Sequence, residues 1–424
     1  MDVVKNIVET LKTIKFKSAI IVKVWIVIAI GIVLLKGVIA GWSNTASDFN
    51  NYYLSAKLVS EGTPIHQFYD NDWFTNKAYQ IGIKEGAKFS PFPPITAYVY
   101  LPVTFFKPLI AKRVWLVFNA LILIVLPFRI RKITKWSLSQ TTLFLSLFII
   151  PISSCLNFGQ LYLLIGFLLL ESLGQLYMLS KPKILGFFIG VLASLKYLPI
   201  IFLGYIIQHE KRYLILIFTF LGIIIPSLII YMIDDQVHDI FFLDFISHLE
   251  GNLPGQGKYA VEFQSIDSLL NNLFVYDQFK NPFPLLNLSI LKPIIKYSLL
   301  GVTMVLLFYT FKRNHYQVTP IIISIGIIGV FVMIPASASY HFLLLLWPIL
   351  CIIEWLISFK SKKALVIISI MIFLTFTIQQ YHIPNLDQLS TINLLLHYPR
   401  FWSLLCVFLL LNYYHIKILR KNYG

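Results

Sequence analysis

Charged residues are scarce in this sequence. Asp, Glu, Lys and Arg make up 13% of its 424 residues and hydrophobic residues make up 58%, whereas soluble domains usually carry about 25% charged residues. The mean hydropathy is +0.76, and the apolar runs, at about 17–23 residues, have the length of membrane-spanning helices. These proportions exclude a soluble globular protein. They predict an all-α polytopic membrane protein whose first partner is the lipid bilayer.

Cysteine is rarer still, with three residues in the sequence. Cys155, Cys351 and Cys406 form no CxxC pair, and the HExxH motif of metalloproteases is absent. The histidines do not fall at metal-ligand spacing, so neither a metal site nor a disulfide framework is indicated. We expect the cysteines to pack as small apolar residues in or near helices. No metal and no cofactor is expected.

Acidic residues are outnumbered by basic ones, 19 to 35, which gives a formal net charge of +16. Most of the basic residues lie in short intervals, at 1–23, 129–135, 181–183, 211–212, 312–313, 360–363 and 417–421. Because Lys and Arg concentrate on the cytoplasmic side of membrane proteins, the pattern predicts a cell-membrane protein, plasma or inner, with both termini cytoplasmic. It argues against a nucleic-acid partner. Residues 1–17 are expected to form a basic amphipathic helix on the cytoplasmic surface, and the first apolar run is expected to be an uncleaved helix.

The apolar runs predict about twelve crossings in a single integral membrane domain over residues 1–424. The expected spans are 19–40, 110–128, 137–151, 160–179, a broken pair over 184–208, then 213–232, 291–311, 318–334, 342–358, 364–378 and 401–418. The run 184–208 has basic residues at both ends, so one crossing there would break the charge rule. Two short helices meeting near Pro199 would keep it. The sequence leaves both alternatives open.

Two longer polar segments, 41–94 and 233–290, are predicted to lie on the extracytoplasmic side. In the first, Asp48 or the preceding serine is placed to start an interfacial helix that Gly62 ends. The apolar stretch 95–106 would be about 18 Å long as a helix, which is too short for a hydrocarbon core of about 30 Å. We expect it to lie as a helix at the outer interface.

Asp48 is the leading candidate for a catalytic group. It lies a few residues past the first predicted span, at the water–lipid boundary, and the other polar clusters fall on the same predicted side of the membrane. A carboxylate in that place can take a proton from an attacking hydroxyl group within hydrogen-bond reach. The alternative is that Asp48 only caps the helix that follows it, which Asp does well.

Lys196 stands inside an apolar run, where a cation is costly and marks a functional site by default. It could neutralise a phosphate leaving group as charge develops, or its side chain could extend to the interface. Lys107, Lys112 and Arg113 form a second basic cluster on the predicted outer side. These three could hold a lipid phosphate or bind lipid headgroups.

His341 follows a small-residue turn on the predicted outer face. It could orient a carboxylate, hold a phosphate or carry a proton, or it could be an interfacial histidine with a satisfied hydrogen bond. Glu171 and Glu354 lie within predicted spans, where carboxylates serve proton or ion relays in transporters. They could equally be protonated and hydrogen-bonded between helices.

A series of short motifs runs in order from Asp48 to Pro348. They are Asp48-Phe49-x-x-Tyr52-Tyr53, Phe68-Tyr69, Phe89-x-Pro91-Phe92-Pro93-Pro94, Ala111-x-x-x-Trp115-x-x-x-Asn119, Gly159-Gln160, Gly186-x-x-x-Gly190-x-x-Ala193-x-x-Lys196-x-x-Pro199, Gln264-Ser265 and Tyr340-His341. This ordered set resembles glycosyltransferase family 87, in the C-type superfamily of polytopic enzymes that use polyprenyl-phosphate sugars. The resemblance implies a C-type fold, an outward-facing active site and a lipid-linked sugar donor, usually of mannose.

The resemblance also implies site residues. The aspartate of the first outer segment would be the base, and His341 would sit beside it. We hypothesise an inverting hexosyltransferase in which Asp48 deprotonates a hydroxyl of an envelope glycolipid or glycan. Lys196 would stabilise the departing polyprenyl phosphate, with Lys107 or Arg113 assisting, and His341 would either orient Asp48 or contact the phosphate. The candidate sugar or acceptor contacts are Tyr52, Tyr53, Gln160 and Gln264.

Two other classes of function remain open. A transporter or lipid flippase would need inverted repeats and paired intramembrane charges, and neither is visible in the sequence. A non-catalytic subunit of an envelope assembly complex is the second alternative.

Overall fold

The computed structural model describes residues 19–45, 47–177, 181–207, 209–249, 258–314, 319–335, 338–358, 362–377 and 391–423. Over these ranges the chain consists of helices and turns, with a single isolated β-bridge between Asp277 and Asn281. The predicted all-α class is confirmed. The amphipathic helix predicted for residues 1–17 lies outside the described residues.

The α-helices follow one another with short connections. In chain order they are α1 (Ala19–Ile32), α2 (Ala40–Ser43), α3 (Phe49–Ser60), α4 (Asn71–Gln80), α5 (Pro108–Thr134), α6 (Leu138–Ser146), α7 (Ile149–Phe158), α8 (Tyr162–Tyr177), α9 (Pro182–Leu195), α10 (Arg212–Ile233), α11 (Val237–Leu249), α12 (Ile266–Phe274), α13 (Leu291–Arg313), α14 (Pro320–Met333), α15 (Leu346–Ser358), α16 (Lys362–Thr377), α17 (Thr391–Leu396) and α18 (Pro399–Tyr423). A π-helical turn, Val33–Ile39, joins α1 to α2. The 3₁₀ helices are Ile65–Tyr69, Pro94–Tyr98, Leu101–Val103, Leu198–Ile206, Val261–Phe263 and Ser339–Leu345.

Several helices of the described ranges are long and apolar enough to cross a membrane. Six segments qualify, namely Val22–Ser43, Pro108–Thr134, Arg212–Ile233, Leu291–Arg313, Ser339–Ser358 and Pro399–Ile418. The pair α6 and α7, bent by 71°, would make a seventh. The remaining apolar helices, such as α9 and α14, are shorter. The chain therefore has the helices of a multi-pass membrane protein, and the count of about twelve crossings stays a prediction.

The residues group into two compact units. We call them the Asp48 unit, which comprises Ile26–Thr142 and Pro151–Gly255, and the His341 unit, which comprises Met1–Trp25, Leu143–Ile150 and Gln256–Gly424. Each is described by itself below. The single integral membrane domain expected for residues 1–424 stays a prediction.

In the Asp48 unit, α9 and α10 pack backbone against backbone. A Cβ atom added at Gly190 would lie 2.1 Å from the carbonyl oxygen of Thr219, and one added at Gly186 would lie 2.2 Å from that of Ile215. On the facing helix, a Cβ at Gly222 would lie 2.3 Å from the carbonyl oxygen of Phe187. Small residues let helices in membranes approach this closely. The contact fixes α9, and with it the end of α9 that precedes Lys196.

A second close contact sets the position from which α3 begins. A Cβ atom added at Gly41 would lie 2.8 Å from the carbonyl oxygen of Leu156 in α7. Beyond it, the side-chain amide of Asn44 donates a 3.1 Å hydrogen bond to the side-chain oxygen of Asn157. The chain therefore leaves the first span held against α7.

Several local predictions are confirmed. The helix expected after Asp48 is α3, and Gly62 follows its end with a φ of +79°, a left-handed conformation that glycine adopts without strain. Of the two alternatives left open for 184–208, the structure has the break, because α9 ends at Leu195 and a 3₁₀ helix begins at Leu198; two crossings there stay a prediction. Cys155 is fully buried as expected, whereas Cys406 is exposed on α18.

Two local predictions were wrong. The stretch 95–106 is not one α-helix. It lies in two 3₁₀ helices, Pro94–Tyr98 and Leu101–Val103, since Pro102 lacks the N–H that a continuous α-helix would need there. The span expected at 137–151 does not end at Pro151. It bends after α6, and Pro151 lies in the first turn of α7, where a missing N–H is tolerated.

The His341 unit is held by helix packing and a few polar pairs. α16 packs along α18, and α14 packs against both α15 and α18. The hydroxyl of Thr310 in α13 donates a 2.7 Å hydrogen bond to the side-chain oxygen of Asn412 in α18. The buried carboxylate of Asp267 in α12 pairs with Lys296 of α13 at 2.8 Å, so the short helix is tied to the long one.

We predict that Gly190→Ala destabilises the protein. The added methyl group would press on the backbone of α10, and overpacking of this kind costs about 1–3 kcal/mol. The measurement is the apparent melting temperature of the purified full chain in detergent. Gly301→Ala is the matched control, because a Cβ there meets nothing within 4 Å. Equal melting temperatures for the two variants would contradict the close contact of α9 and α10.

Candidate active site

The carboxylate of Asp48 does not cap α3. Asp48 occupies the N-cap position with helical backbone angles, φ −60° and ψ −18°, and its side chain makes no capping hydrogen bond. Its Oδ2 atom instead accepts a 2.6 Å hydrogen bond from Nε2 of Gln160. The capping alternative is therefore wrong for the side chain, and the carboxylate is directed towards the turn between α7 and α8.

Gln160 uses both ends of its amide in the Asp48 unit. Its nitrogen binds Asp48, and its Oε1 atom accepts a 2.6 Å hydrogen bond from the hydroxyl of Tyr52. The preceding Gly159 has a φ of +67°, and a Cβ there would lie 2.8 Å from Cβ of Phe49. Only glycine fits this close approach without strain. Three predicted site residues, Asp48, Tyr52 and Gln160, are thus brought together.

The ring of Tyr52 is fully buried between two other rings. Phe92 stacks on one side with centroids 4.8 Å apart, and Tyr100 stacks on the other at 4.9 Å. The interplanar angles of 6° and 8° make the three rings nearly parallel. The stack joins α3 to the proline-rich turn that carries Phe92.

The ammonium of Lys196 lies among these aromatic rings. It is 3.5 Å from the ring centroid of Phe92, 5.3 Å from that of Tyr52 and 5.7 Å from that of Tyr162. Such contacts are cation–π interactions. Lys196 is 5% exposed and interacts electrostatically with Asp48. Its side chain is buried, so the alternative of extension to the interface is wrong.

The break after α9 places Lys196. α9 ends at Leu195, and Lys196 itself has an extended backbone with φ −150° and ψ 119°. The hydroxyl of Thr96 donates a 2.9 Å hydrogen bond to the carbonyl of Leu195, which holds the break against the 3₁₀ helix Pro94–Tyr98. This bond ties the end of α9 to the chain segment that carries Phe92.

A histidine that sequence reasoning passed over lies next to Lys196. Nε2 of His248, at the end of α11, is 3.3 Å from the hydroxyl of Tyr197. Burial, and then the charge of Lys196, lower the pKa of His248 to about 4, because both disfavour the charged imidazolium. The imidazole is therefore neutral at physiological pH. No pattern in the sequence places α11 beside this lysine.

The other predicted cations occupy different surroundings. Lys107 is exposed at the start of α5, and Arg113 stacks on the ring of Trp42 at 4.8 Å and donates a 3.2 Å hydrogen bond to its carbonyl. Lys112 is the buried member of the cluster, 2% exposed, and donates a 2.5 Å hydrogen bond to the carbonyl of Asn44. Of the three, Lys112 interacts electrostatically with Asp48. Sequence reasoning favoured Lys107 and Arg113.

Tyr53 points away from this arrangement. Its hydroxyl donates a 2.7 Å hydrogen bond to the carbonyl of Phe106, and its ring stacks on Phe49 with centroids 5.9 Å apart. The hydroxyl predicted to contact a sugar or acceptor therefore has a backbone partner.

Two predicted residues belong to the His341 unit. His341 is partly buried in the 3₁₀ helix Ser339–Leu345, with its ring edge-on to Tyr340 at 4.9 Å. The amide nitrogen of Gln264 donates to the carbonyls of Val261 and His397, at 2.9 Å and 2.6 Å. Its oxygen accepts a 3.1 Å bond from the backbone of Arg400. Gln264 therefore holds backbone segments together within its own unit.

Arg400 is a buried cation of the His341 unit that sequence reasoning missed. It is 2% exposed, donates a 2.7 Å hydrogen bond to the hydroxyl of Ser339 and lies 5.5 Å over the ring of Phe342. These partners flank His341, so Arg400 braces the turn that carries the histidine. In the described ranges, no group of three or more His, Cys, Asp and Glu side chains is placed to hold a metal ion.

Fold and site together define a membrane protein in which a carboxylate and a buried ammonium share one polar site. The family model of glycosyltransferase family 87 matches residues 91–358, more than half of the chain. The chain belongs to glycosyltransferase family 87. Gln160 and Lys196 lie within the matched residues, whereas Asp48 and Tyr52 precede them. Comparison with curated proteins and with solved structures gave no match.

We predict a graded loss of stability at Tyr52. Tyr52→Phe keeps the ring stack but leaves the buried oxygen of Gln160 without its donor, which costs about 1–3 kcal/mol. Tyr52→Ala also loses the stack, and replacing a buried aromatic residue by alanine costs about 3–5 kcal/mol. Apparent melting temperatures in detergent should fall in that order. Tyr297→Phe, at a tyrosine that is 67% exposed, is the control. A Tyr52→Phe variant as stable as this control would contradict the role of the hydrogen bond.

Proposed function

We propose that this member of glycosyltransferase family 87 is a polyprenyl-phosphate-sugar-dependent hexosyltransferase. It moves a sugar, mannose in the simplest case, to a hydroxyl group of an envelope glycolipid or glycan on the extracytoplasmic side of the cell membrane, with inversion. The observation that carries the proposal is the site itself. Asp48 and Lys196, a base and a cation, are linked through Gln160, Tyr52 and the aromatic stack.

Asp48 is the proposed general base. As the acceptor oxygen forms its bond to the anomeric carbon, the hydroxyl proton passes to the carboxylate, a step that positioned bases accelerate by about 10²–10⁴-fold. The hydrogen bond from Gln160 engages Oδ2 and thereby fixes the orientation of the carboxylate. Attack from the side opposite the phosphate gives inversion at the anomeric carbon.

Lys196 is the proposed stabiliser of the leaving group. When the bond between the anomeric carbon and the phosphate oxygen breaks, the electron pair stays on the polyprenyl phosphate, which leaves as an anion. A buried cation that is already in place stabilises such developing charge strongly, because little water competes for it. Lys107 and Arg113 are the proposed further contacts to the phosphate or to neighbouring headgroups.

The remaining predicted residues differ in whether their polar groups are already hydrogen-bonded within the protein. Tyr52 and Tyr53 use their hydroxyls within the protein, so we propose that they support the site. Gln160 stands between Asp48 and Tyr52 and is the proposed contact closest to the reacting groups. The proposed place of His341 beside the base, and of Gln264 at the substrate, stays a prediction.

No observation favours the transporter or the non-catalytic subunit. Glu171, one of the intramembrane carboxylates that suggested a relay, forms an ion pair with Arg129. A carboxylate paired in this way is a link between α5 and α8.

We predict that Asp48→Asn abolishes sugar transfer while the protein remains folded, since the amide cannot take a proton. The measurement is transfer from radiolabelled polyprenyl-phosphate-mannose to envelope glycolipids in membranes that contain the wild type or the variant. Asp70→Asn is the matched control. Asp70 caps α4 with bonds to the backbone nitrogens of Asp72 and Trp73, and asparagine caps equally well.

Each result of that assay separates two explanations. Full transfer by Asp48→Asn would remove Asp48 as the base. A wild type that transfers no mannose but does transfer another polyprenyl-phosphate sugar would correct the donor alone. Uptake of a labelled lipid that depends on Asp48, without transfer, would establish the transporter instead.

We also predict that transfer is unchanged by a metal chelator. A lipid monophosphate carries less charge than a nucleotide diphosphate, and the proposed cation on the leaving group is Lys196. The measurement is the initial rate of transfer in washed membranes with and without EDTA. A loss of activity that added magnesium or manganese restores would contradict the prediction.

A further inference from the structure

Two buried nitrogen groups in the Asp48 unit, on Lys196 and on a histidine that contacts the adjacent Tyr197, have no acceptor among the described residues. The ammonium of Lys196 contacts aromatic rings and makes no hydrogen bond to a described residue. Nδ1 of His248, a residue that is 6% exposed, likewise has no hydrogen-bond partner in the described part of the chain. Buried polar atoms usually have hydrogen-bond partners. These two nitrogens therefore mark a site where a ligand could supply the acceptor.

The tautomer of His248 is coupled to the direction of its hydrogen bond with Tyr197. A neutral imidazole has one N–H donor and one acceptor nitrogen. When the hydroxyl of Tyr197 donates to Nε2, across their separation of 3.3 Å, the proton of the imidazole lies on Nδ1. The unpaired nitrogen is then a donor.

Lys196 is the charged group that acts on His248. Lys196 interacts electrostatically with His248 and with Asp48, and Asp48 is already hydrogen-bonded to Gln160. In the tautomer with the proton on Nδ1, an ammonium and an N–H donor therefore lie within electrostatic range of each other, and a negatively charged group between them would satisfy both. Hydrogen bonds to charged groups are the strong ones in such places.

On the basis of the proposed function, we infer that Lys196 and His248 together bind the phosphate of the polyprenyl-phosphate sugar, a diester in the donor, and keep hold of it as the monoester that remains when the sugar has left. Lys196 supplies the charge, and His248 supplies a directed hydrogen bond from Nδ1 to a phosphate oxygen. Tyr197 acts as a positioning residue, since it fixes the tautomer of the imidazole. His248 is thus assigned to the donor site. It lies on α11, far along the chain from Asp48 and Gln160.

Binding of a product-like ligand tests this assignment apart from catalysis. The purified full chain in detergent is titrated with farnesyl phosphate, a short polyprenyl monophosphate, and the Kd is measured from the shift in melting temperature or from tryptophan fluorescence. Farnesol lacks the phosphate, inorganic phosphate lacks the chain, and phosphatidylglycerol in mixed micelles offers an ordinary headgroup. We expect farnesyl phosphate to bind more tightly than any of these three.

The key variant is His248→Phe, which keeps a ring against Tyr197 and removes both nitrogens. We expect it to weaken farnesyl phosphate binding about tenfold or more, as the loss of a hydrogen bond to a charged group does. Lys196→Met should weaken binding at least as much, and the double variant should lose less than the product of the two, because both groups hold one phosphate. His238→Phe, about 15 Å earlier along α11, is the matched control and should bind like the wild type.

The outcomes separate this inference from the proposed function. Unchanged affinity in His248→Phe overturns the inference and leaves the glycosyltransferase proposal standing. Equal binding of farnesol or phosphatidylglycerol by the wild type also overturns it, because the monophosphate is then not what is recognised. Phosphate-dependent binding that His248→Phe weakens, in a protein that transfers no sugar, supports the anion site and overturns the proposed function.

If His248→Phe melts at a lower temperature than the wild type without ligand, a second variant, His248→Gln, which keeps an N–H donor, is used instead. We expect the affinity of His248→Gln for farnesyl phosphate to lie between that of the wild type and that of Lys196→Met. If Lys196→Met binds farnesyl phosphate as tightly as the wild type does, the shared site is overturned.

Discussion

An ammonium group enclosed by aromatic rings constrains the rest of the Asp48 unit. Removing a charge from water is costly unless the surroundings compensate for it. Around Lys196 the compensation comes from the faces of Phe92, Tyr52 and Tyr162 and from the charge of Asp48. These residues come from the proline-rich turn, from α3 and from α8. The elements must therefore meet at one point, and the break after α9 delivers the cation to it.

The same arrangement links the two groups that we propose as the base and the leaving-group stabiliser. The carboxylate of Asp48 is held by Gln160, Gln160 is held by the hydroxyl of Tyr52, and the ring of Tyr52 forms part of the wall around Lys196. A change at Tyr52 would consequently disturb Asp48 and Lys196 together. Both are placed by buried, mostly rigid contacts, which is how an active site avoids reorganisation during the reaction.

Much of this could be read from the chain before its structure was known. The long apolar runs fixed the expectation of membrane helices, and Gly62 marked the end of α3. Lys196 was found because it is a cation inside an apolar run, and Gln160 because it lies in a motif of the family that is now shown. The length of an apolar run and the residues of a motif are local properties of the sequence, so they can be recognised without knowing the tertiary contacts.

What escaped prediction depends on contacts between distant segments. His248 lies at the end of a helix with no motif around it, and only the folding of α11 onto Tyr197 gives it a place. Nothing in the sequence around Arg400 indicates that its guanidinium is buried and donates a hydrogen bond to Ser339. In the basic cluster at α5, spacing could not tell which of three neighbours turns inward, and Lys112 is the buried one.

The glycine contact between α9 and α10 has a mechanical consequence. Where two backbones touch at Gly190 and Gly222, there are no side-chain rotamers that could rearrange to absorb a displacement. A rotation of α9 would bring its backbone into collision with the backbone of α10. The lysine at its end is therefore held by a rigid pair of helices, and a displacement beside Lys196 would have to occur in the turn bearing Phe92 or in α11.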